Sequence, residues 1–473
     1  MTDIARRRFL QATALAMAGA HAGCTSPDDV RDVSGLDPVR ARAIARPSTT
    51  AQVQSLLARS DAPVSIGGGH FSMGDQVAAP DAMHLDMRAM RRVLFVDRDG
   101  MRARVQAGAT WRDLQDSLDP HDLSVKVMQS YSNFTVGGSV SVNCHGRYVG
   151  LGPIANTVRA LQLVTADARV LELSRTTHPE LFAAVVGGYG GLGIVTEVEL
   201  DLARNERLER RAERVALDEY PAFFREHVLG DRDIVLHNAD LAPPRFDAPV
   251  SVSWRRTQAP LTDARRLVPR NDGYGRDRAL IWAASELPNG DKVRERYLTD
   301  KLLHEPAVVM RNLQASLDAA SLEPWSRRIT TYLLQEYFVP APAFASFARE
   351  LAKILVDADA NALNVSIRHA PADTTSLLRW APTEMFCFVV WHKQWSTRGA
   401  DADTGTWARE LIDAALAHGG RHYLPYRLHA TQAQFARGYP ARDAYLALKR
   451  EVDPRRRFRS VFLDKYLVDE RPA

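Results

Sequence analysis

Three glycine-rich segments set the strongest limit on how this chain folds. Ile66-Gly67-Gly68-Gly69-His70-Phe71-Ser72 follows a short apolar run at 62–66. Thr135-Val136-Gly137-Gly138-Ser139 opens a helix-like stretch that ends in Asn143-Cys144-His145-Gly146. Gly187-Gly188-Tyr189-Gly190-Gly191-Leu192-Gly193 runs into a strand beginning at Ile194. Glycine lets the backbone turn tightly and brings several N–H groups close to an anionic ligand. The first segment is not a Rossmann fingerprint, because no helix of the right register and no ribose-binding acid follow. It is not a P-loop either, since no Lys-Ser/Thr closes it. Three such bends in one lobe, each entering or leaving a strand, imply an enclosed, elongated ligand with phosphates and ring edges. The alternative is three unrelated tight turns.

Between these segments strand and helix patterns alternate. Pro47-Ser48 opens a helix with Val53, Leu56 and Leu57 as its buried stripe. Strands at 93–96 and 101–107 flank the hairpin turn Asp99-Gly100. Thr110 caps a helix at 111–118, with Asp113 in its first turn. A strand pair at 160–165 and 170–173, a helix at 180–186 and a strand at 194–202 complete this α+β lobe. After about residue 205 the segments lengthen, with strand-like runs at 330–338, 362–368 and 385–391, which marks a second domain. The tail, 421–466, is short, apolar and helical, and is expected to pack back on the first lobe. The expected boundaries are 1–24 signal, 25–37 linker, 38–204 first domain, 205–420 second domain and 421–473 returning segment.

At 473 residues the chain can bury a large core, and 45% hydrophobic with 25% charged residues is ordinary for a soluble globular protein. The net charge of +4 is spread out; Arg455-Arg456-Arg457 reads as a solvated helix end, and no nucleic-acid partner is expected. Cys24, Cys144 and Cys387 have no metal-site spacing; a bond between the last two is allowed but unsignalled. Arg6, Arg7, Phe9 and Leu10 stand in the order of a twin-arginine export signal, followed by an apolar run at 12–20. Ala20-His21-Ala22 suits a signal peptidase, and Gly23-Cys24 resembles the end of a lipoprotein box in which His21 fits poorly. Export to the periplasm is expected, with membrane anchoring only if Cys24 is lipidated. A basic amphipathic helix is the alternative.

The order GGGHFSMG, SYSNFTVGGSVSVNCHGR and GGYGGLGIVTEVEL resembles the FAD domain of the vanillyl-alcohol oxidase / p-cresol methylhydroxylase (PCMH) superfamily. Within it, the chain is most similar to the branch of aldonolactone oxidases, alditol oxidases and decaprenylphosphoryl-ribose oxidase. The resemblance is strong over 38–204, moderate from Arg421 and loose between. It implies a two-subdomain PCMH-type FAD-binding domain, an α+β substrate (cap) domain and a C-terminal segment returning to the FAD domain. Ile66, Gly67, Gly68, Gly69, His70 and Phe71 match the pyrophosphate loop, with Ser72 and Gln76 nearby. Ser130, Thr135, Val136, Gly137, Gly138, Val142, Asn143, Cys144 and His145 match the stretch along the flavin ring and ribityl chain, and Ile194 a backbone contact. His70 stands where relatives carry a histidine joined to the flavin 8α-methyl, which implies covalent FAD. Asn133 occupies the place of a second, cysteinyl anchor found in some relatives, so one link is expected.

The same resemblance implies oxidation of a CH–OH group of a sugar, aldonolactone or related alcohol by hydride transfer to flavin N5. That chemistry needs a group to take the hydroxyl proton and charge to steady the reduced flavin. In alditol oxidases the strand matching 364–369 presents a glutamate and an arginine two apart on one face. Here Arg368 keeps the arginine while Ser366 replaces the glutamate, which puts a simple polyol in doubt. His392 and Lys393 end another strand; Tyr423 fits a family tyrosine near the flavin; Tyr426 replaces an essential lysine, beside Arg427, itself a poor base. The expected electron acceptor is oxygen, a quinone or a redox protein. The alternatives are a flavin-binding protein with a degenerate substrate site, and a member acting on an aromatic alcohol or a C–N bond.

Overall fold

The computed structural model describes residues 26–270 and 272–468, so the expected export signal and Cys24 lie outside the described residues. The chain is a mixture of helix and sheet in four sheets. β1 (Asp29–Val30) pairs antiparallel with β2 (Val39–Arg40), so the stretch expected as a linker is partly built into the fold. The reason is Asp32: its carboxylate accepts from Ser34 N (2.8 Å) and Asp75 N (3.1 Å), turning a polar run inward.

β3 (Ala43–Ala45), β4 (Val64–Gly67) and β5 (Met83–Asp86) form a small parallel sheet in the order β3-β5-β4. Parallel strands need crossovers; the helix Thr50–Ala58, capped by Thr49 accepting from Gln52 N, carries the chain from β3 to β4, and β5 then inserts between them. Its Val53 and Leu57 pack with Val64, Leu85, Ile194 and Phe458.

β6 (Val93–Asp97), β7 (Arg102–Gln106), β8 (Leu123–Val125), β9 (Val158–Val164), β10 (Val170–Ser174) and β11 (Ile194–Arg204) form an antiparallel sheet. The order is β10-β9-β11-β7-β6, with β8 paired to the end of β11. β11 alternates buried and half-buried residues over most of its length, as a strand with one face on a core should. The helix Trp111–Leu118 starts from a complete capping box of Thr110 and Asp113 and buries Trp111, Leu114 and Leu118.

The sheet changes between Arg204 and Arg207. β12 (Arg207–Arg214), β13 (Ile234–Leu241), β14 (Val250–Arg256), β15 (Val308–Met310), β16 (Thr330–Pro340), β17 (Ala362–Ala370), β18 (Met385–Trp395) and β19 (Arg421–His422) make one antiparallel sheet. Its order is β15-β12-β14-β13-β17-β18-β16-β19. One face carries the helices Phe344–Asp357 and Arg398–Ala417, through Phe344, Phe347, Phe386 and Phe388 and through Trp407.

The chain then returns to the first lobe. On the helix Arg442–Val452, Tyr445 donates to Gly188 O (2.7 Å) and Lys449 to Gly191 O (2.7 Å). Arg455 is exposed as expected, but Arg457 is buried and donates to the carbonyls of Leu57, Ser60 and Ala166. It locks the tail onto the N-terminal lobe, which corrects the reading of that cluster as a solvated end. Cys144 and Cys387 are both buried free thiols.

Candidate active site

Where the small parallel sheet meets the antiparallel one, a cleft opens between all three glycine-rich segments. Ile66 and Gly68 line it from the first, Thr135, Gly137 and Gly138 from the second, and Gly188, Gly190 and Gly193 from the third. One side chain couples two of them. Thr135 caps the helix Val136–Ser141, and its Oγ1 accepts from both Gly138 N and Gly69 N at 3.3 Å. A Cβ on Gly68 would overlap that hydroxyl, so the position needs glycine. The third bend turns at Gly190 with φ +71, a conformation that favours glycine, and is tied to the tail by Lys449 and Tyr445.

Ser72, Gln76 and Val142 also line the cleft. Gln76 donates to Leu424 O (2.7 Å) and Tyr426 O (2.8 Å) and accepts from Gly74 N (2.9 Å), clamping the first loop to the returning segment. Ser130 Oγ is buried without a hydrogen-bond partner, a donor free for a ligand. A narrow groove rimmed by the backbone of three glycine-rich bends fits a pyrophosphate-bearing cofactor.

The remaining residues expected at the cofactor fall into other places. Val136 and Ile194 put their side chains into cores, though Gly193 and Val195 beside Ile194 line the cleft. Asn143 binds Asp373 and Ser376, and Cys144 is buried in the main core, its thiol pushed far up by desolvation. Gly69 and Phe71 line a separate groove with Asn133. His70 is packed beside the cleft rather than lining it: its ring meets Gly67 and lies edge-on to His84. Its Nδ1 is 3.0 Å from Arg31 O, and since a carbonyl only accepts, Nδ1 carries the proton and Nε2 the lone pair. That Nε2 is buried and unpartnered. Burial holds the imidazole below its ordinary pKa, with Arg88 adding to the effect.

At the end of the cleft marked by Tyr189, Val142 and Gln76, the large sheet supplies a polar cluster. Glu336 on β16, Arg368 on β17 and Cys387 on β18 share one face by register, since Arg368 and Phe338 both pair with Cys387. Glu336 is 1% exposed. Its Oε2 accepts from Tyr426 Oη (3.1 Å), and its Oε1 lies 2.7 Å from His145 Nε2. Burial and the neighbouring Glu336 push the Tyr426 hydroxyl well above its ordinary value, with Arg368 opposing. Tyr423 donates to Val142 O (2.9 Å) and packs on His145 and Tyr426. Ligand atoms of His145, Glu336 and Cys387 lie within 4.8 Å of one another. Burial pushes the Cys387 thiol well up, which makes it a poor metal ligand.

Three expected catalytic residues do not join this cluster. His392 turns to the helix-covered face, against Trp407, and burial lowers its pKa to about 4. Lys393 shares the face of Arg368 but is held in an ion pair with Glu286 (2.5 Å). Arg427 is neutralised by Asp401 (2.6 Å) and Asp37 (2.8 Å). Sequence reasoning missed Glu336; its signal was an acid in the middle of the apolar run Thr-Tyr-Leu-Leu-Gln-Glu-Tyr-Phe-Val.

Residues 41–174 match a family described as an FAD binding domain. The chain is 31% identical over 189 residues to mitochondrial L-galactono-1,4-lactone dehydrogenase of Brassica oleracea, covering 38% of this chain and 31% of the relative. It is 33% identical over 158 residues to L-gulonolactone oxidase of Mus musculus, covering 33% and 36%. It is 25% identical over 401 residues to decaprenylphosphoryl-beta-D-ribose oxidase of Mycolicibacterium smegmatis, covering 81% and 84%. The chain thus spans about a third of the length of the first two relatives. These relatives fall in the branch that the glycine-rich motifs resemble.

Proposed function

We propose, from the FAD binding domain at residues 41–174, that this chain is an FAD-dependent oxidoreductase acting on a CH–OH group of a sugar, aldonolactone or related alcohol. The small parallel sheet and the six-stranded sheet are read as the two subdomains of a PCMH-type domain, and the eight-stranded sheet as the cap. The boundaries 38–204, 205–420 and 421–473 belong to that reading. The observation that carries it is Glu336, a buried carboxylate held at the end of the cleft with Oε2 on Tyr426 and Oε1 beside His145.

Bound FAD supplies a hydride acceptor at N5. Glu336 Oε1 takes the hydroxyl proton of the substrate, the role left open by Ser366 and by the missing lysine. Tyr426 orients the carboxylate through its bond to Oε2. Arg368, whose buried Nε has no partner, holds substrate oxygen on the same face. Thr135 and Gln76 keep the loops in register and exclude water from the cleft.

The reading includes a single covalent link at His70. In support, Nε2 carries the lone pair, is unpartnered and sits on a neutral ring; attachment requires the imidazole to swing from Gly67 into the cleft. Export by the twin-arginine route to the periplasm, with lipid at Cys24 as a variant, also belongs to the proposal. Among the described residues no helix is long and apolar enough to cross a membrane. Oxygen, a quinone or a redox protein takes the electrons. The test is anaerobic mixing of the flavin-loaded protein with sugars, lactones, polyols and aromatic alcohols. Bleaching by a sugar or lactone supports the reading. Bleaching by aromatic alcohols alone moves the substrate class, and no bleaching at all favours the degenerate-site alternative.

A further inference from the structure

Positive charge is left uncompensated along the face of the large sheet that carries Arg368 and Glu336. Buried arginines elsewhere have their partners: Arg427 has Asp37 and Asp401, Arg311 has Glu206 and two carbonyls, and Arg457 has three carbonyls. Three arginines here differ. Arg147, next to the His145-Gly146 turn, donates only to the neutral Gln314, at Oε1 (3.3 Å) and O (2.9 Å). The Arg368 side chain makes no hydrogen bond among the described residues, and its Nε is fully buried. Arg294, at the end of the helix Gly290–Arg294, likewise has no hydrogen bond or ion pair and lines a cavity of about 700 Å³.

That cavity reaches the same face of the large sheet through Asn364 and its cross-strand neighbour Trp391. Asp240 and Asn364 line it, and Asn364, Ser366 and Arg368 alternate on one face of β17. At about 3.4 Å per residue the strand carries this face ~14 Å from Arg368 to Asn364. Asp240 pairs with Ser366 across β13 and accepts from Asn364 Nδ2 (3.1 Å). Burial pushes its carboxyl up, with Asn364, Arg294, Arg368 and Arg147 opposing. Of the other acids at the cavity, Glu295 pairs with Arg214 and Asp247 with Arg245, while the exposed Asp291 also favours the charge of Arg294.

Resting on the proposed function, we propose that Arg147, Arg368 and Arg294 make a positively charged track from Glu336 to this cavity, which takes an alcohol carrying an anionic group, a phosphate or carboxylate, with Arg294 at the anionic end. Guanidinium forks match oxyanions in two-bond geometry, and such bonds strengthen where water is excluded. Arg147 and Arg368 also repel each other, a cost that a bound anion relieves. The free hydroxyl is placed at Glu336, and the anionic end points toward Arg294.

The experiment compares matched pairs in anaerobic flavin reduction: a pentose with its 5-phosphate, and an alditol with the corresponding aldonate. The expected kcat/KM favours the charged member by about tenfold or more. Inorganic phosphate competes with it, and Arg294→Gln and Arg147→Gln each reduce the charged-to-neutral ratio by about tenfold. A wild-type ratio near one with no effect of phosphate overturns the charged track, while reduction by neutral alcohols still upholds the proposed activity. Reduction by neither class overturns both.

Discussion

Glutamine at position 336 separates structure from chemistry. The side chain keeps its volume, and its amide oxygen can still accept from Tyr426, now 3.1 Å from Oε2. The amide nitrogen faces His145 Nε2, which can turn acceptor by moving its proton to the unpartnered Nδ1. One exchanged neutral contact costs about 1 kcal/mol of stability. Losing the proton acceptor costs ~10²–10⁴ in rate, or ~3–5 kcal/mol of barrier at 1.36 kcal/mol per decade. Glu336→Gln is therefore expected to load FAD normally and melt close to wild type, yet to reduce flavin at least about a hundredfold more slowly at saturating alcohol. Anaerobic stopped-flow absorbance reads that rate directly. A rate within about threefold of wild type, a barrier change under ~1 kcal/mol, would refute the assignment of the proton to Glu336.

Other outcomes follow from the same geometry. His70→Ala is expected to release all flavin into the supernatant on acid precipitation, whereas wild-type colour stays with the pellet; colour released equally from both removes the covalent link. Asp75, raised to about 7 by burial and by Asp32, binds its proton more tightly folded than unfolded. Its contribution is complete below the unfolded value near 3.8 and is lost as pH rises to about 7. Asp75→Asn should thus raise Tm relative to wild type at pH 8 and change it little at pH 4; the opposite pattern in thermal melts contradicts the buried acid. Lys449→Met strips one partner from the fully buried Asp453 and two carbonyls, Gly191 and Phe458. Breaking such a pair costs about 3–5 kcal/mol, so denaturant melts should show that loss together with weaker FAD retention.

Local patterns in the sequence survived into the fold wherever a feature is fixed by neighbours along the chain. The hairpin at Asp99-Gly100, the Thr110–Asp113 capping box and the three glycine bends all carry their cause within a few residues. The cap cluster does not. Strand period places Glu336 with Leu334 and Phe338, but only the docking of the two lobes brings His145 and Tyr426 to it. His392 or Lys393 could each serve by sequence, but successive strand residues face opposite ways, and His392 meets the helices while Lys393 meets Glu286. Arg427 looked available because its neutralising acids, Asp37 and Asp401, lie far away in the chain. The polar stretch around Asp32 read as a linker for the same reason: its partner, Asp75, sits in another loop.

Flavin content tests the central claim most directly. Protein produced with ample riboflavin is purified, its FAD measured against folded chain by absorbance, and any flavin-free fraction titrated with FAD. Enclosure by the three bends predicts one FAD for each chain, held through gel filtration. Well-folded protein with no flavin absorption and no affinity for added FAD contradicts it.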